Sequence, residues 1–454
     1  MASTPLLSAL AQAGALEPFQ PRLCHQVFGR EIEQARAAGV AGAAWQTYWS
    51  DRLGPWLDLL LAQLPPAAAE AARGGGRLLV WPFDRAHLFG NLIREPWAVS
   101  RAFGRHYSHR VMLTRPRQVA QNPAVYDMAM AGWHQVVSED PRLLALARVN
   151  VGLIHHRGVD FLLCDETYPP YLIHQMLLGD GLTERLAIPP AQAEAAHDIL
   201  RRLGVPDDAR LVTLHVREAN PGQAHRNSSI NQFLPALETL LANDYWIIRL
   251  GRRPMPMLVH PSHRIIDLPY CPLYDPVLDA YAVWRSEFMV VTDSGPSSLG
   301  WFFHKPLLIL NGTFHYNRSP VRLDFTTYLK YFSPARGRCL SHQELLDISI
   351  YHQQTNQQFA SLGLEVHPLA DEEMVAITEE FLGLGPDMTA APERPVQQRF
   401  KAQALAEHVR LFYDPERFAP GRYIDRWRAW YSTGALPGFR LSETYTERNP
   451  WFLA

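Results

Sequence analysis

The feature that most constrains the fold of this chain is a regular alternation of short apolar runs and helix-like segments between residues 190 and 311. Five runs are brief, apolar and rich in β-branched residues: Leu211–Val216, Tyr245–Gly251, Arg264–Leu268, Glu287–Thr292 and Pro306–Asn311. Helix candidates stand between them, and another, which starts at two prolines and is closed by Gly204, comes before the first run. This alternation predicts an open parallel sheet with helices on both faces.

The N-terminal part predicts a second α/β region preceded by helices. The first 75 residues contain stretches with helical spacing of apolar positions, and they end at a run of glycines. The apolar runs Arg77–Phe83 and His109–Leu113 follow, separated by a segment of helical length, as in βαβ units. We expect an α/β domain with a helical leader over 1–205, a Rossmann-like domain over 206–385, and a Pro-rich connector with a helical tail over 386–454.

The tail is expected to pack back on the body of the protein. Its aromatic side chains carry more apolar surface than a disordered segment exposes to water. They are Trp427, Trp430, Tyr431, Tyr445, Trp451 and Phe452.

Charge and cysteine content limit the class of protein. The 454 residues contain 43 Lys and Arg against 45 Asp and Glu, which gives a formal net charge of −2. The chain therefore lacks the excess of positive charge that is typical of nucleic-acid-binding proteins. Four scattered cysteines without a CxxC pair indicate a reducing compartment. The N-terminus lacks a basic leader, and no apolar run approaches the roughly 18 residues of a membrane span. We expect a cytoplasmic protein with no transmembrane segment. Peripheral association with the inner face of the membrane is the open alternative.

Polar residues follow the first apolar run of the C-terminal half. The run ends in His215, Arg217 and Glu218 and opens into a loop of Gly, Pro and Asn. Because ligands of open α/β sheets bind at the carboxyl ends of strands, Arg217 is predicted to face a crevice, where its planar fork of donors suits phosphate oxygens. The alternative is a strand-end arginine paired with a local carboxylate. Arg226 adds a second cation just before Asn227 and Ser228. Capping of the following helix is an alternative for Asn227 and Ser228, but it does not explain Arg226.

A loop of small residues follows the run that ends at Thr292. Glycine and serines before a helix offer backbone amides and hydroxyls to an anion, and the alternative is ordinary N-capping by Ser294 or Ser297. Because both loops follow strands of one sheet, we expect them to form one diphosphate site. The small loop contributes Asp293, Ser294, Gly295, Ser297 and Ser298.

Asp84 and His87, just after the first N-terminal run, are candidates for a general base. The alternative for His87 is a half-buried histidine whose hydrogen bonds are satisfied within the protein. The sequence lacks HExxH, GxxxxGK[ST] and GxSxG, which argues against a zinc protease, a P-loop NTPase and an α/β-hydrolase.

Residues 210–385 resemble a family of bacterial glycosyltransferases with a GT-B-like architecture. The order and spacing of several segments agree with that family, and the closing ETYTERNPWFL is similar to its C-terminal end. HVRE and TDSGPSSLG are more distantly similar to the strand end and Ser-rich donor loop of fucosyltransferases of this fold. The matching segments are His215–Glu218, Arg226–Leu240, Trp246–Gly251, Arg264–Leu268, Thr292–Gly300, Leu307–Asn311 and Asn356–Phe381.

The resemblance implies two Rossmann-like domains facing a cleft, the first presenting an acceptor and the second binding a nucleotide sugar. It implies that Arg217 contacts the donor diphosphate and that the loop Asp293–Ser298 holds the nucleotide sugar. The first domain departs from the family, because the segment Phe83–Asn91 stands where a glycine-led motif is usual and keeps only its His-Leu pair. The full set of donor-site candidates is His215, Arg217, Arg226, Asn227, Arg249, Asp293, Ser294, Gly295, Ser297 and Ser298.

We therefore expect a glycosyltransferase that moves a sugar from a nucleotide-activated donor to an acceptor hydroxyl in bacterial surface glycan or glycoconjugate synthesis. Asp84, His87 or Glu218 would serve as the base, and the acceptor would be a glycan, a lipid-linked sugar or a protein. Arginines can stabilise the leaving diphosphate, so no cofactor and no obligate metal are expected. The alternatives are a nucleotide-sugar epimerase or hydrolase of the same fold, and a non-catalytic nucleotide- or glycan-binding module.

Overall fold

The chain divides into two α/β units in a computed structural model, Met1–Met176 and Leu177–Ala454. The structure describes residues 42–149, 151–164, 187–218, 221–292, 294–313, 324–348, 355–385, 394–412 and 440–454, together with positions 34–35, 38–40, 350, 388 and 392.

The first unit has a five-stranded sheet in the order β3-β2-β1-β5-β4. Strand β1 is parallel to β2 and β5, β2 is parallel to β3, and β4 is antiparallel to β5. The elements are α1 (Gly42–Leu61), α2 (Pro66–Arg73), β1 (Leu78–Phe83), α3 (Phe89–Phe103), β2 (His109–Thr114), α4 (Pro123–Met130), β3 (His134–Val137), α5 (Pro141–Ala145), β4 (Gly152–His156) and β5 (Val159–Leu163).

Strand β1 is buried along its whole length, as its continuous apolar sequence predicts for a strand covered on both faces. The apolar stripe of α1 recurs every three or four residues and packs into the same core as β1 and β2. Trp49, Leu53, Leu57 and Leu60 form that stripe. The predicted helices before the first strand are thus present over the described part of the leader.

The second unit has a seven-stranded sheet in the order β15-β11-β10-β9-β6-β7-β8, in which every neighbouring pair is parallel. Its elements up to the small sheet are α6 (Pro190–Arg202), β6 (Arg210–His215), α7 (Leu234–Ala242), β7 (Tyr245–Arg249), β8 (Ile265–Asp267), α8 (Val277–Arg285), β9 (Phe288–Val291), α9 (Ser297–Phe302), β10 (Leu307–Gly312) and β11 (Asp324–Tyr328). The remaining elements are β12 (Lys330–Ser333), β13 (Arg338–Cys339), α10 (His342–Asp347), α11 (Asn356–Ala360), β14 (Glu365–His367), α12 (Asp371–Leu384), α13 (Pro395–Phe412), β15 (Arg440–Leu441) and α14 (Glu443–Arg448).

Counted from β6, this is the doubly wound strand order 3-2-1-4-5-6, with β15 added at the edge. The chain runs outward from β6 through β7 and β8, then returns to the other side of β6 and runs outward through β9, β10 and β11. The order reverses between β6 and β9, which is the topological switch point where open sheets form a crevice. The prediction of an α/β chain with Rossmann-like sheets is confirmed, and the sheet of the first unit carries one antiparallel strand, β4.

Helix α6 contacts α8 and so belongs to the second unit. The second unit also contains a small antiparallel sheet in the order β13-β12-β14, whose strands come after β11 along the chain. None of the helices that the structure describes has the length and hydropathy needed to cross a membrane.

The end of the chain packs into the second unit, as predicted for residues 440–454. Strand β15 pairs with β11, and Tyr445 and Phe452 are fully buried in the core beside Tyr328. Trp451 packs against that core. The predicted tail residues Trp427, Trp430 and Tyr431 lie outside the described residues.

Candidate functional site

The carboxyl ends of β6 and β9 are joined by three hydrogen bonds at the switch point. Thr292 N donates to His215 O at 3.1 Å, and Arg217 N donates to Thr292 Oγ1 at 2.8 Å. His215 Nδ1 and Ser294 Oγ are hydrogen bonded at 2.8 Å. The cationic loop after β6 and the small-residue loop after β9 therefore lie beside each other.

His215 is buried beneath these loops and carries no charge at neutral pH. Burial lowers its pKa to about 3, and the neighbouring cations Arg249 and Arg217 act in the same direction. A neutral imidazole can hold the Ser294 hydroxyl without adding positive charge to the crevice. The charge of this edge therefore comes from its arginines.

Two arginines converge on one neutral oxygen at this edge. Gln223 Oε1 accepts a hydrogen bond from Arg217 Nη2 and another from Arg226 Nη1, the latter at 3.2 Å. Two guanidinium groups around one uncharged oxygen repel each other, and a negative charge beside them would relieve that repulsion. Phosphate oxygens are acceptors of that kind, and guanidinium groups bind them in charge-assisted pairs.

The helix-capping alternative for Asn227 does not hold. Ser229 caps the 3₁₀ turn Ile230–Phe233, because its Oγ accepts from Asn231 N at 3.3 Å while its N donates to Gln232 Oε1 at 3.1 Å. The backbone of Asn227 instead closes the preceding turn by donating to Ala224 O at 3.0 Å.

The capping alternative for the small-residue loop does not hold either. Helix α9 has Pro296 at its N-cap, and none of the described side chains makes a capping bond there. Ser294 bonds His215, and Ser297 Oγ donates to Ser294 O at 2.6 Å. Ser298 N donates to Gly295 O at 3.0 Å, and Asp293 lies outside the described residues.

The last residue of the TDSGPSSLG segment has a packing role. A Cβ at Gly300 would overlap the side chains of Leu307 and Met289. Glycine here therefore lets α9 lie directly on β9 and β10, which fixes the direction in which the loop leaves the sheet.

Arg249 lies in a buried ion cluster that spans the ends of β6, β7 and β8. Its Nη2 donates to Glu218 Oε2 at 2.8 Å, and its Nη1 lies 3.1 Å from both oxygens of Asp267. Glu218 Oε1 also accepts from Ile230 N at 2.6 Å. Burial raises the pKa of Glu218, while the Ile230 amide and Arg249 oppose that rise. Both oxygens of Glu218 and both Nη atoms of Arg249 are thus engaged within the protein.

Asp84 lies at the carboxyl end of β1 in a second buried ion cluster, within the first unit. It pairs with Arg148 at 2.9 Å and with Arg85 at 3.4 Å. Arg85 also binds Glu95 through two nitrogens, at 2.8 and 2.6 Å. Asp84, Arg85 and Glu95 are fully buried, so these charges compensate one another inside the protein.

His87 follows this cluster, half-buried before α3. Burial lowers its pKa below the ordinary 6.5, Asp84 opposes that shift, and Arg115 reinforces it. The imidazole is therefore uncharged at neutral pH and able to accept a proton. Its buried Nδ1 finds no hydrogen-bond partner within the described ranges, whereas a hydrogen bond to the Asp84 backbone also raises its pKa, so the alternative of a half-buried structural histidine stays open.

Three residues of the second unit's edge were not singled out by sequence reasoning. Gln223 joins the two arginines, Thr292 joins two strand ends, and Asp267 pairs with Arg249. Gln and Thr are neutral and common in loops, so the sequence holds no signal for them. Asp267 ends a strand, and the strand-end argument applied to Arg217 could have found it. The structure holds no group of three or more His, Cys, Asp or Glu arranged for a metal among the residues it describes.

No protein-family model and no curated protein matches this chain. Among solved structures, it is similar to a glycosyl transferase family 9 protein from Veillonella parvula DSM 2008, at 13% identity over 67% of this chain and 97% of that chain, with a TM-score of 0.41. It is also similar to the E. coli ADP-heptose LPS heptosyltransferase II, at 12% identity over 67% of this chain and 99% of that chain, with a TM-score of 0.35. The heptosyltransferase TibC in complex with ADP-D-β-D-heptose matches at 12% identity over 68% and 78%, with a TM-score of 0.30. At these identities and TM-scores, the likenesses carry no argument about the chemistry of this chain.

Proposed function

We propose that this protein is a glycosyltransferase whose second unit binds the diphosphate of a nucleotide-activated sugar at the switch point between β6 and β9. The observation that carries the proposal is the convergence of Arg217 and Arg226 on Gln223 Oε1. The resemblance of the HVRE and TDSGPSSLG segments to glycosyltransferase donor sites supports it. On the same resemblance we assign the acceptor to the first unit and the reaction to bacterial surface glycan or glycoconjugate synthesis in the cytoplasm.

The two arginines suit the leaving group of glycosyl transfer. When the bond between the anomeric carbon and the phosphate oxygen breaks, the electron pair stays with the nucleoside diphosphate, whose negative charge grows. Guanidinium groups that already lie where this charge develops stabilise the transition state more than the ground state. Arg217 and Arg226 would supply this stabilisation, and Ser294, which is hydrogen bonded to His215, would add a hydroxyl at the same edge.

The acceptor hydroxyl must lose a proton as it attacks, and we propose His87 as the group that receives it. Of the three candidates, Asp84 is ion-paired and fully buried, and both oxygens of Glu218 already have partners. The uncharged imidazole of His87 retains the capacity to take up a proton. We therefore assign Glu218 and Arg249 an indirect role, in which they hold the ends of β6 to β8 in register.

Product analysis tests the proposal. The full chain would be incubated with radiolabelled nucleotide sugars and a panel of glycan, lipid-linked and protein acceptors. Transfer of label to an acceptor supports the proposal. A changed free nucleotide sugar would indicate an epimerase or hydrolase, and binding without conversion would indicate a non-catalytic module. His87→Gln should abolish transfer and leave binding of the released nucleoside diphosphate unchanged.

A further inference from the structure

One side chain of α11 holds the turn that carries Gln223 and Arg226. Asn356 Oδ1 accepts a hydrogen bond from Ala224 N at 2.7 Å, and Asn356 Nδ2 donates to the Pro221 carbonyl. An amide side chain offers both a donor and an acceptor, so this residue satisfies backbone groups at two points of the turn. It begins a segment, Asn356–Phe381, that the donor site described above does not use.

A second contact joins the same helix to the same turn. The imidazole of His225 stacks on the ring of Phe359, with ring centroids 4.7 Å apart and planes inclined by 4°. Asn356 and Phe359 are three positions apart, so they lie on neighbouring parts of one helix face. Asn356 thus holds the turn through the turn's backbone, and Phe359 holds it through the side chain of His225.

Helix α11 is itself fixed to the body of the unit. Thr355 and Gln358 form a reciprocal capping box at its start, with bonds of 3.2 and 3.1 Å. Phe359 is buried and its ring lies 6.2 Å from that of Tyr331 on β12. The helix is therefore capped at its start and packed against the unit through Phe359, so it can support the turn.

The turn needs outside support because its backbone is irregular. Within Pro221–Arg226, Gln223 departs from helical geometry, with φ −141° and ψ 51°. The same residue supplies the oxygen that Arg217 and Arg226 approach. A shift of the turn would therefore move Gln223 and Arg226 together relative to Arg217, which is anchored to β9 through Thr292.

We propose that Asn356 and Phe359 are positioning residues for the diphosphate site, which fix the distance between Arg226 and Arg217 before the ligand binds. This inference rests on the proposed function, because the ligand is the diphosphate of the donor. Holding the turn in its binding geometry removes the ordering cost that the ligand would otherwise bear, so it raises affinity. Neither residue touches the ligand, and their effect passes through the turn.

The test uses the full chain and inorganic pyrophosphate as the probe, with affinity measured by titration calorimetry. Asn356→Ala removes both bonds to the turn, and we expect the Kd for pyrophosphate to rise about 5- to 30-fold with little change in Tm. Gln357→Ala, at the next exposed position of the same helix, is the matched control and should keep the wild-type Kd. Phe359→Leu keeps an apolar side chain but loses the stacked ring, and it should raise the Kd by a smaller factor.

Hydrogen exchange supplies a readout that needs no ligand. The Ala224 amide donates to Asn356, so it should exchange faster in Asn356→Ala and at the wild-type rate in Gln357→Ala. An unchanged Ala224 exchange rate, or an unchanged Kd in Asn356→Ala alongside weakened binding in Arg217→Ala, would overturn the positioning role and leave the diphosphate site standing. If the wild type fails to bind pyrophosphate, or binds it no better than Arg217→Ala, the diphosphate site fails and this inference with it.

Discussion

Each unit places charged residues just beyond the first strand of its parallel sheet, but the two units use them differently. After β1, Asp84 and Glu95 flank Arg85, so positive and negative charges neutralise one another in the protein interior. After β6, Arg217 and Arg226 converge on the neutral oxygen of Gln223. The first arrangement is neutralised within the protein, whereas we propose that the second binds an anionic ligand.

Within the second unit, the arginines Arg249 and Arg217 also differ in their partners. Arg249 ends β7 as Arg217 follows β6, yet Arg249 is fully buried between two carboxylates from neighbouring strands. The distinguishing property is therefore the partner of the arginine and not its place at a strand end. Structural arginines should show their effect on stability, and ligand-binding arginines on affinity.

The largest expected effect is on the stability of the first unit. Arg85→Ala leaves the buried carboxylates of Asp84 and Glu95 without their shared cation, so we expect the free energy of unfolding to fall by about 3–5 kcal/mol in urea titrations. Arg117→Ala is the control, because its ion pair with Asp127 is exposed and should contribute about 0–1 kcal/mol. Equal losses in the two variants would show that the buried cluster does not hold the unit together.

The second effect is on affinity. Arg217→Ala should weaken binding of a nucleoside diphosphate by about 1.5–3 kcal/mol, the range for a charge-assisted hydrogen-bonding group, while Tm changes little. Arg210→Ala is the matched control, because Arg210 lies at the amino end of β6 and pairs with Glu287. Unchanged calorimetric affinity in a folded Arg217→Ala protein would remove Arg217 from the diphosphate site.

The sequence predicts the strands of the fold better than it predicts which residue pairs with each charged side chain. The alternation of apolar runs predicts β6, β7, β8, β9 and β10 because burial on both faces of a parallel strand leaves a local mark in the sequence. Strand order is set by pairing between distant segments, so the reversal between β6 and β9 is visible only in the structure. For the same reason the sequence does not distinguish Arg249 from Arg217, because the carboxylates that flank Arg249 lie at the ends of two other strands.

Neutral residues of the site were the hardest to predict. Gln223 and Asn356 carry no charge, and their residue types are common in loops and at helix starts. Asn356 meets Ala224 across 132 positions of sequence, a distance at which no local pattern links them. In contrast, His215 and Ser294, which the structure joins by a hydrogen bond, were both among the sequence's candidates, because His215 ends a clearly marked strand and Ser294 follows another.

Per pH unit, a smaller effect is expected for the pH dependence of stability in the second unit. The unfolded chain protonates His215 as pH falls below about 6.5, whereas the folded imidazole does so only near its pKa of about 3. Between these values the unfolded state binds more protons, so the free energy of unfolding falls as pH falls, by up to about 1.4 kcal/mol per pH unit. His215→Gln should show a shallower dependence in urea titrations at several pH values. Parallel curves for the wild type and this variant would contradict the buried neutral state.

The smallest expected effect is that of removing divalent metal, and it follows from the same comparison. Four carboxylates among the described residues of these edges are already bound by arginines, Asp84 and Glu95 by Arg85, and Glu218 and Asp267 by Arg249. In the proposed site the diphosphate meets the positive charge of Arg217 and Arg226, and guanidinium groups stabilise a leaving diphosphate without a metal. We therefore propose that transfer activity is the same with and without excess EDTA, measured on protein dialysed against the chelator. Loss of activity with EDTA and its return with Mg²⁺ or Mn²⁺ would show that the arginines do not suffice, and Asp293 would then be the first carboxylate to substitute.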